Sequence, residues 1–350
     1  MNYIDSYFSG KERCCRKQME DYYNIFFCSE NQCWIFNVCD GHGGFEVAEY
    51  INKKFNIDFI NLINKLKVEK EIKINVLKKK IEELVENLDK EIKLLPCSEF
   101  TGSTFACVIY YRNNIFFINI GDSNIICNMK PPYFNKLHVP NDTIEKTRIT
   151  KKSYIIGERI EGMINLSRAF GDFRFKKSQK HISPMISTPD IDIFLIKDMF
   201  LFNNIPWILL SSDGLVIFFE RNQLRKIINL YFELGFTCEY IVKLLMKYCC
   251  YYNNNDNIAL ILILLTDGNK NNKRKINDKE IKFLNDIKSE IYFYCMEIIK
   301  KYEDKNIGWK EVLEGIKKKI LLKNKKVFYL SLIYNLLEFE IISNIKQIKL

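Results

Sequence analysis

The stretch TFACVIYYRNNIFFINIGDS, residues 104–123, decides how the rest of the chain is read. Thr104 to Tyr111 and Asn114 to Ile120 are apolar runs rich in β-branched and aromatic side chains, separated by Arg112-Asn113. Two such runs around a short polar break predict a β-hairpin. The hairpin closes on Gly121-Asp122-Ser123, which sets a carboxylate at a strand end, and Ser123 to Cys127 is expected to continue the same sheet.

The same pattern recurs on either side. Ile25 to Cys28 and Cys33 to Cys39 flank the polar turn Ser29 to Gln32 and predict a second hairpin. Trp207 to Ser211 and Asn257 to Leu265 are nearly unbroken apolar runs, as buried strands would be. Phe45 to Leu66, Ile74 to Leu95 and Leu224 to Cys250 carry apolar residues at three- and four-residue steps, the mark of amphipathic helices. Lys130 to Asp190 holds five of the seven prolines and little periodicity, and is expected to be a long irregular excursion that covers a site or is disordered. Hairpins with helices inserted between them give an α+β fold class: two packed antiparallel sheets flanked by helices.

Composition narrows the function. With 350 residues, 47% hydrophobic and 14% aromatic, the chain can bury a large core. Twelve cysteines and three histidines contain no C-x-x-C pair, which argues against zinc, although Cys14-Cys15 and Cys249-Cys250 are adjacent. Met1 to Gly10 has Asp5 and no apolar run, and Met1-Asn2 lacks the glycine that myristoylation needs. Reduced thiols and a cytoplasmic or nuclear setting are therefore expected. The apolar run Val327 to Leu337 is far short of the ~20 residues of a membrane span.

Net charge is +10, and residues 267–350 supply +7 of it, from 19 Lys and Arg against 12 Asp and Glu. Residues 1–266 are nearly balanced, unlike the basic core of a nucleic-acid enzyme, so no nucleic-acid partner is expected. Asp267 to Asn272 reads as a linker to a basic helical extension, with stripes at Leu284, Ile287, Ile291, Tyr294 and Ile298 and again from Trp309 to Ile320. Those stripes would pack on the chain's own core or dock a protein partner.

Acidic residues stand beside glycine or at strand limits in five places: Glu20-Asp21, Asp40-Gly41-His42-Gly43-Gly44, Gly121-Asp122, Asp213-Gly214 and Asp256-Asn257. A single Asp-Gly is an ordinary turn signal. Five at strand ends can converge on hard divalent cations, which prefer oxygen ligands and relieve the repulsion of clustered carboxylates.

In order along the chain, RKQMED (16–21), FNVCDGHGG (36–44), TGST (101–104), NIGDS (119–123), LSRAFGD (166–172), PDI (189–191), LSSDG (210–214) and DNI (256–258) resemble the motifs of the PP2C-like (PPM) metal-dependent protein serine/threonine phosphatases. The resemblance covers about Arg16 to Leu265. It implies a PP2C-like phosphatase domain over 1–266, built as an α-β-β-α sandwich, and an extension over 267–350. Its implied activity is hydrolysis of phosphoserine and phosphothreonine in phosphoprotein substrates by a two-metal-activated water.

By the same resemblance, Asp40 would bridge two Mg²⁺ or Mn²⁺ ions, with the Gly41 carbonyl, Asp213 and Asp256 as direct ligands. Glu20 and Asp21 would bind through coordinated waters. Arg16 would clamp phosphate, and His42 would be the general acid. Ile217 stands where the family carries a further Asp, which removes a ligand from a third metal site that Asp122 would share. Leu137 to Asp142 matches its family segment poorly, and Asn124 replaces a frequent Arg. Those departures keep a pseudophosphatase scaffold as the alternative, while the presence of Asp40, Asp213 and Asp256 together favours catalysis. A two-metal nuclease would not explain the motif order.

Overall fold

A computed structural model describes residues 3–66, 73–176, 183–201, 205–217, 219–233, 236–251 and 255–267. The chain divides into two compact units, Met1–Lys270 and Asn271–Leu350. The second unit, with the expected linker and striped helices, lies outside the described residues.

The first unit opens with strands β1 (Ile4–Glu12), β2 (Tyr22–Cys28), β3 (Cys33–Cys39) and β4 (Gly41–His42), followed by helices α1 (Glu46–Leu66) and α2 (Ile74–Ile92). Next come β5 (Gly102–Ser103), β6 (Phe105–Tyr111), β7 (Asn114–Ile120), β8 (Asn124–Cys127) and β9 (Tyr133–Phe134). Helix α3 (Thr143–Ile149), the pair β10 (Ile155–Ile156) and β11 (Arg159–Ile160), and β12 (Phe170–Gly171) occupy the middle. Strands β13 (Asp190–Leu195) and β14 (Trp207–Ser211), helices α4 (Arg221–Glu233) and α5 (Cys238–Tyr251), and β15 (Ile258–Leu265) complete it. One five-stranded sheet has the order β1-β15-β14-β8-β9 and the other β13-β7-β6-β3-β2, all antiparallel.

Residue alternation explains the unbroken apolar strands. In β6, Phe105, Cys107 and Ile109 join the core under α1 and α2, while Ala106, Val108 and Tyr110 join the core between the sheets. In β7, Phe116 and Ile118 face the helices and Ile115 and Phe117 face the other sheet. A strand covered on both faces has room for a polar residue only where a hydrogen bond satisfies it, as at Asn119 at the end of β7. Phe55 of α1 is fully buried with its ring centroid 4.6 Å from that of Phe105. Side chains of this size contribute roughly 1.5–3 kcal/mol each on burial. On the opposite side, α5 packs so closely on β1 that a Cβ at Gly10 would fall 2.3 Å from Met246 Sδ. The four layers are helices, sheet, sheet, helices.

Three expectations need correction. Residues 124–127 do not extend the sheet of β6 and β7; β8 pairs with β14 in the other sheet. The chain crosses at Gly121, whose φ of +100° and close approach to Thr104 admit only glycine, and Asn119 Nδ2 donates to the Gly121 carbonyl to hold the turn. The helical pattern from Leu224 to Cys250 is two helices, and Thr237 Oγ1 accepts from Tyr240 N at the start of the second. The excursion from Lys130 to Asp190 is built, where described, around α3: Asp142 caps it, and Glu145 pairs with Arg148 and Arg168. Strand β1 was not expected at all.

Candidate active site

Strand register gathers the acids. Tyr22 pairs with Cys39, so Asp21 and Asp40 lie together just beyond that end of the sheet. Phe105 pairs with Ile120, which brings Thr104 and the Gly121-Asp122 turn to the same end. In the other sheet Ser211 pairs with Leu260, placing Asp213 near Asp256. The two sheets meet there, with Asp213 N donating to Asp40 Oδ2 at 3.4 Å. Asp21, Asp40, Asp122, Asp213 and Asp256 are thus neighbours although the first and the last stand near opposite ends of the first unit's sequence.

A scaffold of backbone bonds fixes them. Thr104 Oγ1 accepts from Asp40 N at 3.1 Å and shares a 2.6 Å bond with Ser123 Oγ. Asn257 Nδ2 donates to the carbonyls of Arg13 and Gln18, and its Oδ1 accepts from Glu20 N at 2.8 Å. This one amide docks the Arg13–Glu20 loop against Asp256. Gly41 and Gly214 are required by close approach, since a Cβ would fall 2.5 Å from the Glu20 carbonyl and 2.1 Å from the Asn257 carbonyl. Arg16 lies across the same loop, with Nη2 2.8 Å from Asp256 Oδ1 and Nε donating to the Asn255 carbonyl at 2.6 Å.

The electrostatics are those of crowded, buried anions. Burial pushes the Asp40 carboxyl well above its ordinary range, and repulsion from Asp21, Asp213, Asp122 and Asp256 adds to it. Burial likewise raises Asp21 to about 7, with Asp213 and Asp256 contributing and a hydrogen bond with Ser212 opposing. Asp122 rises to about 7, again by burial first and then by Asp213. Asp213 is raised by burial and by Asp256. Asp21 Oδ2 is buried without a hydrogen-bond partner.

Among the described residues, no three Asp, Glu, His or Cys side chains close into a ready-made metal cluster. The mutually repelling carboxylates and the orphaned Asp21 oxygen nevertheless fit hard divalent cations, which retain waters and do not need an all-protein cage. Glu20 adjoins this set through its backbone and through its effect on His42. Ile217 is 57% exposed on the turn after Asp213.

His42 points to a residue that sequence reasoning left without a role. Its Nε2 lies 2.6 Å from Asp172 Oδ2, and Asp172 is buried in a left-handed conformation with φ of 52°. Gly102 makes room, because a Cβ there would fall 2.2 Å from Asp172 Oδ2 and 2.5 Å from His42 Nε2. Burial pulls the His42 pKa down, but the charge and hydrogen bond of Asp172, with Asp122 and Glu20, more than reverse it. The segment from Leu137 to Asp142, a poor match to the family, supports the site from behind. Its buried His138 accepts from Gly121 N through Nδ1 at 3.1 Å and steadies the Asp122 turn. Asp172 stands in LSRAFGD, and its position in a motif was the available signal.

Acids crowded at the paired strand ends of a helix-flanked double sheet define a class of site suited to hard, oxygen-liganded cations. The known proteins to which the chain is similar agree with that class. A family model described as Protein phosphatase 2C matches residues 6–258. Probable protein phosphatase 2C 4 of Paramecium tetraurelia is 29% identical over 235 residues, which are 61% of this chain and 73% of that one. Probable protein phosphatase 2C 2 of the same organism is 30% identical over 209 residues, 56% of this chain and 67% of the other. The serine-threonine phosphatase 2C structure from Toxoplasma gondii shares the fold with a TM-score of 0.61 at 17% identity, covering 76% of this chain and 98% of that one. The chain belongs to the protein phosphatase 2C family and is a hydrolase of that type.

Proposed function

We propose that this chain hydrolyses phosphoserine and phosphothreonine in proteins with the help of two Mg²⁺ or Mn²⁺ ions. The observation that carries the reading is Asp40, a half-buried carboxylate repelled by four others at the junction of the two sheets. Asp40, the Gly41 carbonyl, Asp213 and Asp256 would hold the ions directly, and Glu20 and Asp21 through waters. When bound, the ions supply a water of lowered pKa, aligned with the phosphorus.

The remaining work falls to side chains. Arg16, paired here with Asp256, would be free to turn to substrate if that carboxylate held an ion, and its planar fork would donate to phosphate oxygens. Asp172 orients His42 and stabilises its protonated form. His42 then gives its proton to the departing serine or threonine oxygen. Asp122 adjoins the set as a contributor to a third site that lacks a carboxylate at Ile217. Phosphate release from a phosphothreonine peptide with Mn²⁺, with Mg²⁺ and with EDTA tests the proposal. Release with either ion and none with chelator is expected; equal rates in all three would sink the metal mechanism.

A further inference from the structure

The described cysteines are free, and two of them, on segments 236 positions apart, bring their sulfurs to 3.5 Å: Cys14 Sγ and Cys250 Sγ. Cys14 sits on a left-handed turn with φ of 50° just beyond β1, and Cys250 is in the last turn of α5. Both line a surface cavity of about 510 Å³ together with Glu12, Cys15, Lys243 and Lys247. A small solute can therefore reach them. Their neighbours in sequence differ from them: Cys249 is fully buried in the core and Cys15 is exposed.

We propose that Cys14 and Cys250 form a reversible disulfide when the protein meets hydrogen peroxide, a modification site outside the phosphatase chemistry. The Cys250 thiolate attacks a peroxide oxygen; the O–O bond breaks, Cys250 becomes a sulfenic acid and hydroxide leaves. The Cys14 sulfur then attacks the Cys250 sulfur, the S–O bond breaks and the second hydroxide leaves. The two thiol protons convert both to water, and the two sulfurs give up two electrons to the peroxide. Cys250 is the first to react because the contact between the two sulfurs opposes the upward pull of burial on it, whereas burial and that contact both hold Cys14 in its thiol form. The pair accordingly stays reduced at rest.

The location gives the bond a consequence that rests on the phosphate-clamp reading of Arg16. Cys14 lies two residues before Arg16, in the loop that Asn257 fastens at Arg13 and Gln18. Cys250 lies in the last turn of the helix that precedes Asn255 and Asp256, the two partners of Arg16. A disulfide ties these two segments covalently. Arg16 then loses the freedom to leave Asp256 for a phosphate, so affinity for substrate falls.

The test uses the full chain with Mn²⁺, treated with hydrogen peroxide, quenched, and mapped by mass spectrometry without reductant. A Cys14–Cys250 peptide pair about 2 Da lighter than the two thiol peptides is expected, reversed by dithiothreitol. Closing so long a loop is expected to raise the melting temperature by roughly 5–10 °C. KM for a phosphothreonine peptide should rise at least fivefold on oxidation. Reduced Cys14→Ser and Cys250→Ser should retain turnover within twofold and lose the peroxide response, while Cys15→Ser keeps it. Absence of the linked pair, or a response that survives Cys14→Ser, overturns the proposal. Linkage with unchanged KM overturns the restraint on Arg16. Linkage and stabilisation in a chain that releases no phosphate even when reduced would uphold the thiol pair and sink the proposed function separately.

Discussion

Asp213 shows what a functional carboxylate costs the fold. It is held beside Asp256 and donates its backbone N–H to Asp40, an arrangement that a bound cation would relieve. Asp213→Asn is expected to reduce metal-dependent turnover by at least about 100-fold, since one ligand is lost. In EDTA the same variant should melt no lower than the parent, because a repelling charge has gone and no apolar contact with it; a large fall would mean that Asp213 is structural. Asp172→Asn tests the partner of His42. It should slow a phosphothreonine peptide by about 100-fold or more, yet barely affect p-nitrophenyl phosphate, whose leaving group needs no proton. Equal losses on both substrates would remove His42 and Asp172 from proton transfer. The acids were legible in the sequence because each stands at a strand limit, most beside glycine, and in a fixed order. The His42–Asp172 pair was not, because 130 positions separate its members and only the fold brings them together. Asn257 was quoted for its neighbour Asp256, while its own three backbone bonds depend on a loop that closes in three dimensions.

Helix α3 carries a charge network that makes the segment after β9 an element in its own right. Glu145 is buried, and although burial raises its pKa, hydrogen bonds and charge from Arg168 and Arg148 outweigh that and hold it down to about 2. A carboxyl depressed from its ordinary 4.5 adds stability that is fully present above about pH 4.5 and lost as pH falls towards 2. Glu145→Gln should therefore cost about 3 kcal/mol at pH 7, by leaving the half-buried Arg148 without its anion and Arg168 with Asp190 alone. The gap to the parent should narrow between pH 4.5 and 2 in urea titrations; a constant gap would contradict the assignment. Elements with a strong apolar pattern were readable: β2 and β3, β6 and β7, and α1 and α2 lie close to where the pattern put them. Strand β1 was not, because IDSYFSGKE is a half-exposed edge strand whose polar residues blur the alternation. The sheet that β8 would join was equally hidden, since an apolar strand carries no label for its neighbour and the deciding feature is the turn at Gly121.

At the scale of the molecule, the family match ends at residue 258 and the last strand at Leu265. A chain ending at Asp267 is expected to keep metal-dependent turnover of a small phosphoester, measured beside the full chain. Complete loss in a truncated protein that is still folded would assign residues 268–350 to the catalytic unit. Among the described residues no helix is long and apolar enough to cross a membrane. The pairing of β1 with β15 has a further consequence, in time rather than in space. Ile4 pairs with Leu265 and Glu12 with Ile258, so during synthesis β1 waits for β15. The loop bearing Arg16 and the segment bearing Asp256 are fastened by that same late event. A nascent chain can assemble the β2, β3, β6, β7 layer under its helices while β1 still lacks its partner, but it cannot hold the complete acidic site. Dephosphorylation by this protein thus begins only when synthesis has passed the whole of the first unit, and a prematurely ended chain is silent rather than unregulated.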